Sequence, residues 1–219
     1  DRGNVDEYYQ CEEILKKALE VGDLKDDGEN VLDDIDDVLR DDFRSPISTG
    51  IPELDEIMNG GLAKGELALI LAAFGVGKTT LITKLANAAK NNGYNALQIF
   101  FEDMPKVIKR KHLSCWSGYD LNDLSLHKEE LLGLVETKKN EKGILRLKKF
   151  PSHGTNVPML KKYIKKLIAQ GFRPDIIFID YIDCLSPSQH HEDANIGEGA
   201  LMQVGLAFKG IVQQLNRQS

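Results

Sequence analysis

Residues 67–80 read L-A-L-I-L-A-A-F-G-V-G-K-T-T, an apolar run that breaks into a glycine turn and then into Lys-Thr-Thr. From Ala72 to Thr79 the order A-A-F-G-V-G-K-T meets the phosphate-loop pattern G-x-x-x-x-G-K-[ST] everywhere except the first position, where Ala72 replaces Gly. The flanks suit that pattern. Leu67–Ala72 predicts a buried strand, and Thr79–Asn91 predicts a helix carrying Leu81, Ile82, Leu85, Ala86 and Ala89 on one face and stopped by Gly93. Strand, turn and helix in that order aim backbone N–H groups and the positive end of a helix at one anion. Gly75 and Gly77 supply the backbone freedom for the curl. The expected nucleotide-binding residues are Ala73, Phe74, Gly75, Val76, Gly77, Lys78, Thr79 and Thr80. Lys78 would reach the β- and γ-phosphates, and the Thr79 hydroxyl would ligate magnesium. ATP and Mg2+ are therefore the expected cofactors. The plain alternative is a glycine turn that joins a strand to a helix and binds nothing.

Nucleotide hydrolysis also needs a carboxylate near the metal and a base for water. Residues 176–180, I-I-F-I-D, form a buried-strand run ending in Asp180, which places that carboxylate at the carboxyl edge of a sheet as the second metal ligand. Tyr181 follows Asp180, so the base must come from elsewhere. The strand Ala96–Phe101 ends in Glu102-Asp103 at the same edge, and Glu102 is the expected water-activating residue. Asp103, just before Met104-Pro105, suits a helix N-cap. Asp183 is expected to be structural or solvent-exposed.

The rest of the chain alternates strand and helix signals, which predicts an α/β fold with a mainly parallel sheet flanked by helices. Lys106–Trp116, Leu121–Val135, Val157–Ala169 and Gly199–Ile211 read as helices and Ile144–Phe150 as a further strand. Trp116 is expected in the core. Composition changes at Ser45-Pro46. Residues 1–44 hold 16 acidic and 6 basic side chains, a balance of −10, within a chain of 219 residues and net charge −6. The remaining residues hold 18 acidic and 22 basic, a balance of +4. Two parts are expected: a helical, acidic N-terminal linker over 1–44 and a nucleotide-binding domain over 45–219. An amphipathic helix over 6–21 opens the first part. The acidic run after it reads as a solvated linker with a short helix or as a docking segment for a basic surface.

Apolar stretches fall far short of the ~20 residues of a membrane span, and no signal segment opens the chain. No membrane partner is expected. Three scattered cysteines argue against a disulfide framework or zinc site and fit a reduced, cytosolic protein. His190, His191, Glu192 and Asp193 sit in the polar loop Ser186–Gly199, where adjacent histidines rarely converge on one ion. Two basic groups stand out, Lys106, Lys109, Arg110 and Lys111, then Lys138, Lys139, Lys142, Arg146, Lys148 and Lys149. They read as DNA contacts or as ordinary solvated faces. Lys161, Lys162, Lys165 and Lys166 read as the solvent face of one helix.

Residues 45–67, S-P-I-S-T-G-I-P-E-L-D-E-I-M-N-G-G-L-A-K-G-E-L, resemble the start of a RecA-type ATPase core, as in DnaB-type replicative helicases, RecA/RadA recombinases and KaiC-like proteins. F-F-E-D-M (100–104), I-D-Y-I-D (179–183) and Q-L-N-R-Q-S (214–219) resemble the helicase strand ending in the catalytic glutamate, the helicase metal strand and the motif closing the next core strand. The likeness covers about residues 45–219 and looks nearest to phage-encoded DnaB-like helicases. It implies a RecA-like P-loop core, a homo-hexamer with ATP at subunit interfaces, and ATP-driven movement on single-stranded DNA in a bacterial or phage-infected cytoplasm. A primase or a helicase loader is a further partner that such a ring can take. It also implies that Gln214 senses the γ-phosphate, and that the loop after Asp180 faces DNA. A RecA/RadA recombinase or KaiC-like assembly module is the alternative. The family pattern has a full apolar strand before the Gln-Leu-Asn-Arg motif, so residues are expected to be missing near 210–212. The chain opens on Asp1 and ends at Ser219, so a longer protein and an arginine finger beyond the end are expected.

Overall fold

The computed structural model describes residues 30–39, 44–73 and 75–180. The expectations at Phe74, Asp183 and Gln214, the helices over 6–21 and 199–211 and the loop 186–199 lie outside the described residues. The chain divides into two units, Asp1–Phe43 and Arg44–Ser219. Of the first, the described part holds one helical turn, α1 (Ile35–Val38), within the acidic run.

In the second unit the described elements follow as α2 (Pro52–Ile57), α3 (Lys78–Asn91), β1 (Ala96–Phe100), α4 (Pro105–Ser117), α5 (Lys128–Lys139), β2 (Leu145–Lys149), α6 (Val157–Ala169) and β3 (Ile176–Asp180). The three strands form one all-parallel sheet in the order β2-β1-β3. Parallel strands need crossover connections, and α6, which carries the chain from β2 past β1 to β3, is one. Its boundaries are written in the sequence: the Asn156 side chain accepts the Met159 N–H at 3.1 Å, Pro158 occupies the first turn, and Gly171 follows with φ +84°.

β1 is the central strand and is buried along its whole length. Alternation sends Leu97 and Ile99 to one face, where they pack with Phe101, Leu160, Ile164, Leu167 and Phe172. The other face carries Gln98, which meets His112 of α4, and α4 lies against α3. Helices thus cover both faces, as parallel sheets require. One expected boundary and one expected burial shift. The segment 121–127 is a series of turns, and the helix expected over Leu121–Val135 runs from Lys128 to Lys139. Trp116 is half-buried, its ring 5.8 Å from the Lys90 ammonium and 5.9 Å from that of Lys138.

One expected strand does not form. Leu67–Ala72 has no regular structure, and Leu67, Leu69 and Leu71 are 57%, 56% and 81% exposed. The run flanks a groove of about 500 Å³ that α3, β3 and residues from Ile47 to Leu62 also line. No strand among the described residues pairs with it. A strand is made by its neighbour, because an unpaired extended backbone leaves its N–H and C=O groups to water. Strand propensity alone does not supply that partner.

The segment leading to the run is nonetheless pinned. Arg44 donates to the carbonyls of Met58 at 2.9 Å and Gly61 at 2.8 Å and to the Glu66 carboxylate at 2.8 and 3.0 Å. Ile47 and Leu62 form a bridge. Gly61 has φ +121°, and a Cβ there would come within 2.0 Å of the Ile47 carbonyl oxygen, so only glycine fits.

Candidate functional site

α3 starts where the loop ends. Gly75 and Gly77 have φ +81° and +99°, and a Cβ at either would meet nothing within 4 Å. Their requirement is therefore conformational and not steric: both hold left-handed backbone that other residues adopt at a cost. Gly77 is the N-cap of α3, no side chain caps that end, and no acidic residue lies in its first turn. The first N–H groups of a helix have no partner within the helix, and its positive dipole end lies at the loop. These features fit a bound phosphate.

Lys78 opens the helix. Its ammonium donates to the carbonyl oxygen of Ala72 at 3.0 Å, which folds the side chain back over its own loop. Thr79 and Lys78 are half-buried, whereas Ala73, Val76 and Thr80 are exposed.

Asp180 closes β3 opposite Phe100 of β1 and is 8% exposed. The Thr79 side chain lies near its carboxylate. Burial raises its pKa above the ordinary carboxylate range; the Thr79 hydroxyl, Lys111 and Lys78 pull the other way, and Asp103 adds to the rise. Burial wins, which marks a carboxylate whose charged form would gain from a cation close by. A hydroxyl and a carboxylate are also hard-oxygen ligands of the kind magnesium takes when it keeps most of its waters. The donor set fits that metal. Among the described residues no group of three His, Cys, Asp or Glu side chains could hold a metal ion.

Glu102 lies two residues beyond the end of β1 and is exposed. The Lys149 ammonium, from the end of β2, donates to its backbone carbonyl at 2.8 Å. The structure thus brings Lys78, Thr79 and Asp180 together at the carboxyl edge of the sheet and sets Glu102 on the neighbouring strand end. Asp103 corrects one expectation. The N-cap of α4 is Met104, with no side-chain cap bond, and the Asp103 carboxylate pairs instead with Lys111 at 2.7 Å. Capping rules count local spacing and do not see a lysine two helical turns away.

Sequence reasoning treated Lys111 and Lys149 as members of basic groups, for DNA or for solvation. In the fold both turn inward to the carboxylate edge. Others of those groups are engaged as well: Lys138 with Glu141 at 2.8 Å, Lys139 with Glu136 at 2.6 Å, and Arg146 over the Phe172 ring at 4.3 Å.

A buried polar triad joins the helix of the phosphate loop to the glutamate strand. His112 Nδ1 lies 2.7 Å from Asn87 Oδ1, and Nε2 faces the side-chain amide of Gln98 at 2.9 Å, so that a neutral ring donates to Asn87 and accepts from the Gln98 amide. Burial drops the His112 pKa to about 4, so the ring is neutral at pH 7.

Comparison with known proteins gives a family. The model described as "ATPase: KaiC" matches residues 47–203, well over half of the chain. The circadian clock oscillator protein KaiC of Acaryochloris marina is 26% identical over 168 residues, 77% of this chain and 27% of the relative. The DNA repair protein RadA of Mycobacterium tuberculosis is 31% identical over 81 residues, 37% of this chain and 17% of the relative. The DnaB-like replicative helicase of Enterobacteria phage T4 is 27% identical over 135 residues, 59% of this chain and 28% of the relative. The chain spans about a quarter of the length of the curated relatives it matches.

Proposed function

The chain belongs to the KaiC family of RecA-like P-loop ATPases, and from that premise we propose that it is the motor of a DnaB-type replicative helicase, moving on single-stranded DNA at the expense of ATP. The observation that carries the ATPase half is the left-handed Gly75–Gly77 curl opening α3 at Lys78 and Thr79, with the buried Asp180 ending β3 and Glu102 on the adjacent strand end. The likeness to the phage T4 helicase and the F-F-E-D-M, I-D-Y-I-D and Q-L-N-R-Q-S motifs support the helicase half. The second reading, a KaiC-like nucleotide-regulated assembly module, draws on the family match and the longer KaiC alignment.

On the proposed reading, the loop amides and Lys78 bind and orient the triphosphate. Thr79 and Asp180 would hold magnesium, which neutralises charge on the phosphates when bound. Glu102 orients the attacking water and takes its proton. Gln214 would sense the γ-phosphate. Assembly as a homo-hexamer, a primase or loader as partner, and work in a bacterial or phage-infected cytoplasm belong to the same proposal. Among the described residues no helix is long and apolar enough to cross a membrane.

The test is ATP turnover with and without single-stranded DNA, alongside unwinding of a forked duplex. The helicase reading expects turnover to rise with single strand and duplex to separate. Turnover indifferent to DNA, with nucleotide-dependent assembly, would replace it with the second reading.

A further inference from the structure

The stretch from Lys142 to Pro174 holds nine lysines and arginines and no aspartate or glutamate, in a chain with 34 acidic residues. The fold brings four of these cations onto one surface. Arg146 and Lys148 stand two residues apart on β2 and so share a face of the strand. That is the face α6 covers. The Arg146 guanidinium lies 4.3 Å from the centre of the Phe172 ring, and the Lys148 ammonium lies 5.0 and 5.2 Å from those of Phe150 and Tyr163. Phe150 and Tyr163 pack edge to face with centres 5.5 Å apart, so the rings fix the β2 cations against α6. On α6, Lys166 stands three residues after Tyr163 and Lys162 one turn before Lys166, which puts both on the side of the helix next to Tyr163. Arg146, Lys162 and Lys166 are exposed. Among the described residues, none of the four pairs with a carboxylate. The rings beside Arg146 and Lys148 hold the charges without neutralising them.

We propose that Arg146, Lys148, Lys162 and Lys166 form a binding surface for the phosphate backbone of single-stranded nucleic acid. β2 lies on the far side of β1 from β3, so this surface is separate from the carboxylate edge and from the loop after Asp180. The spacing favours a repeating polyanion. Arg146 and Lys148 are about 6.6 Å apart along the strand, and Lys162 and Lys166 about 6 Å apart along the helix. A nucleic-acid strand carries one phosphate per nucleotide, and lysine or arginine contacts to those phosphates give affinity without reading bases. The inference does not rest on the helicase reading. A chain whose ATP turnover ignored DNA would still lose oligonucleotide affinity when these cations are removed.

The experiment is fluorescence anisotropy of a fluorescein-labelled thymidine oligonucleotide with the full chain, without ATP or Mg2+, between about 50 and 200 mM salt. Arg146→Gln/Lys148→Gln/Lys162→Gln/Lys166→Gln should weaken binding about tenfold or more at the lowest salt and flatten the plot of log affinity against log salt by about 2–3, at ~0.7 per phosphate contact. Lys162→Gln/Lys166→Gln leaves the ring contacts of β2 in place, so it should keep the wild-type melting temperature and flatten the plot by about 1. Lys161→Gln/Lys165→Gln removes the same charge from the opposite side of α6, two positions either side of Tyr163, and should stay within twofold of wild type. A quadruple variant within twofold of wild type, with an unchanged salt slope, would overturn the proposal. So would an equal loss in the two double variants, since net charge and not this surface would then set the affinity. Phosphatidylserine vesicles that displace the oligonucleotide at a lower phosphate concentration than unlabelled oligonucleotide would also overturn it, by assigning the surface to lipid.

Discussion

β3 and the run Leu67–Ala72 are both apolar, both about one strand long, and both lead into a functional end, yet they come out differently. β3 is paired in register with β1 and leaves Asp180 buried at its tip. Leu67–Ala72 ends in the phosphate loop but pairs with no described strand, and its leucines are exposed on the rim of the groove that β3 also lines. Composition does not separate them. What differs is whether a strand among the described residues pairs with each, because pairing and packing stabilise a strand more than propensity does. The carboxylate half of the site is thus anchored in a formed core. The phosphate half is held instead by backbone conformation, at Gly75 and Gly77, and by the Arg44 clamp upstream.

The contrast can be broken most sharply by truncation. Leu160→Ala, beneath β1, should cost about 2–5 kcal/mol in chemical unfolding. Leu71→Ala should stay within about 0.5 kcal/mol, as for an exposed site. A large loss at Leu71 would reveal that something covers the run in solution. Next comes Lys78→Ala, which removes a charged hydrogen-bond donor from the phosphate half; it should weaken ATP about tenfold to a hundredfold in a fluorescent-nucleotide titration and leave the melting temperature almost unchanged. Equal affinity would mean that the loop is only a turn.

A smaller effect sharpens the carboxylate half. The folded-state pKa of His112 is depressed to about 4, against an ordinary 6.5. The unfolded chain therefore binds the extra proton first, and stability held above pH 6.5 is lost as pH falls toward 4. Thermal melts between pH 4 and 7 should show that slope, and His112→Gln should flatten it. The smallest effect is at the clamp. Glu66, held at about 2 by the Arg44 hydrogen bond, contributes stability above its ordinary value of 4.5, and this contribution goes as pH falls through 2. Arg44→Met should remove that acid limb of the pH–stability profile.

Much of this was legible in the sequence, for reasons that differ by residue. The strands at 96 and 176 were readable because each is a short apolar run that finds its partner within the described chain. α6 was readable because Asn156, Pro158 and Gly171 mark its ends by local chemistry. The conjunction of Lys78, Thr79 and Asp180 was readable because the loop pattern is itself a statement about geometry. Leu67–Ala72 was misread because its partner is not a local property. Asp103 was misread as a cap, and Lys111 as one of a basic group, because their pairing spans eight residues of helix and depends on where α4 lies against the sheet. The Asn87–His112–Gln98 triad had no sequence signal, because its three residues lie on separate elements and meet only in the fold.

The most direct test of the central account is Glu102→Gln, measured for nucleotide affinity and single-turnover hydrolysis together. The account predicts ATP binding close to wild type and hydrolysis slowed about a hundredfold or more, because the phosphate half is intact while the water loses its base. Hydrolysis at the wild-type rate would contradict it and move the catalytic carboxylate away from the end of β1.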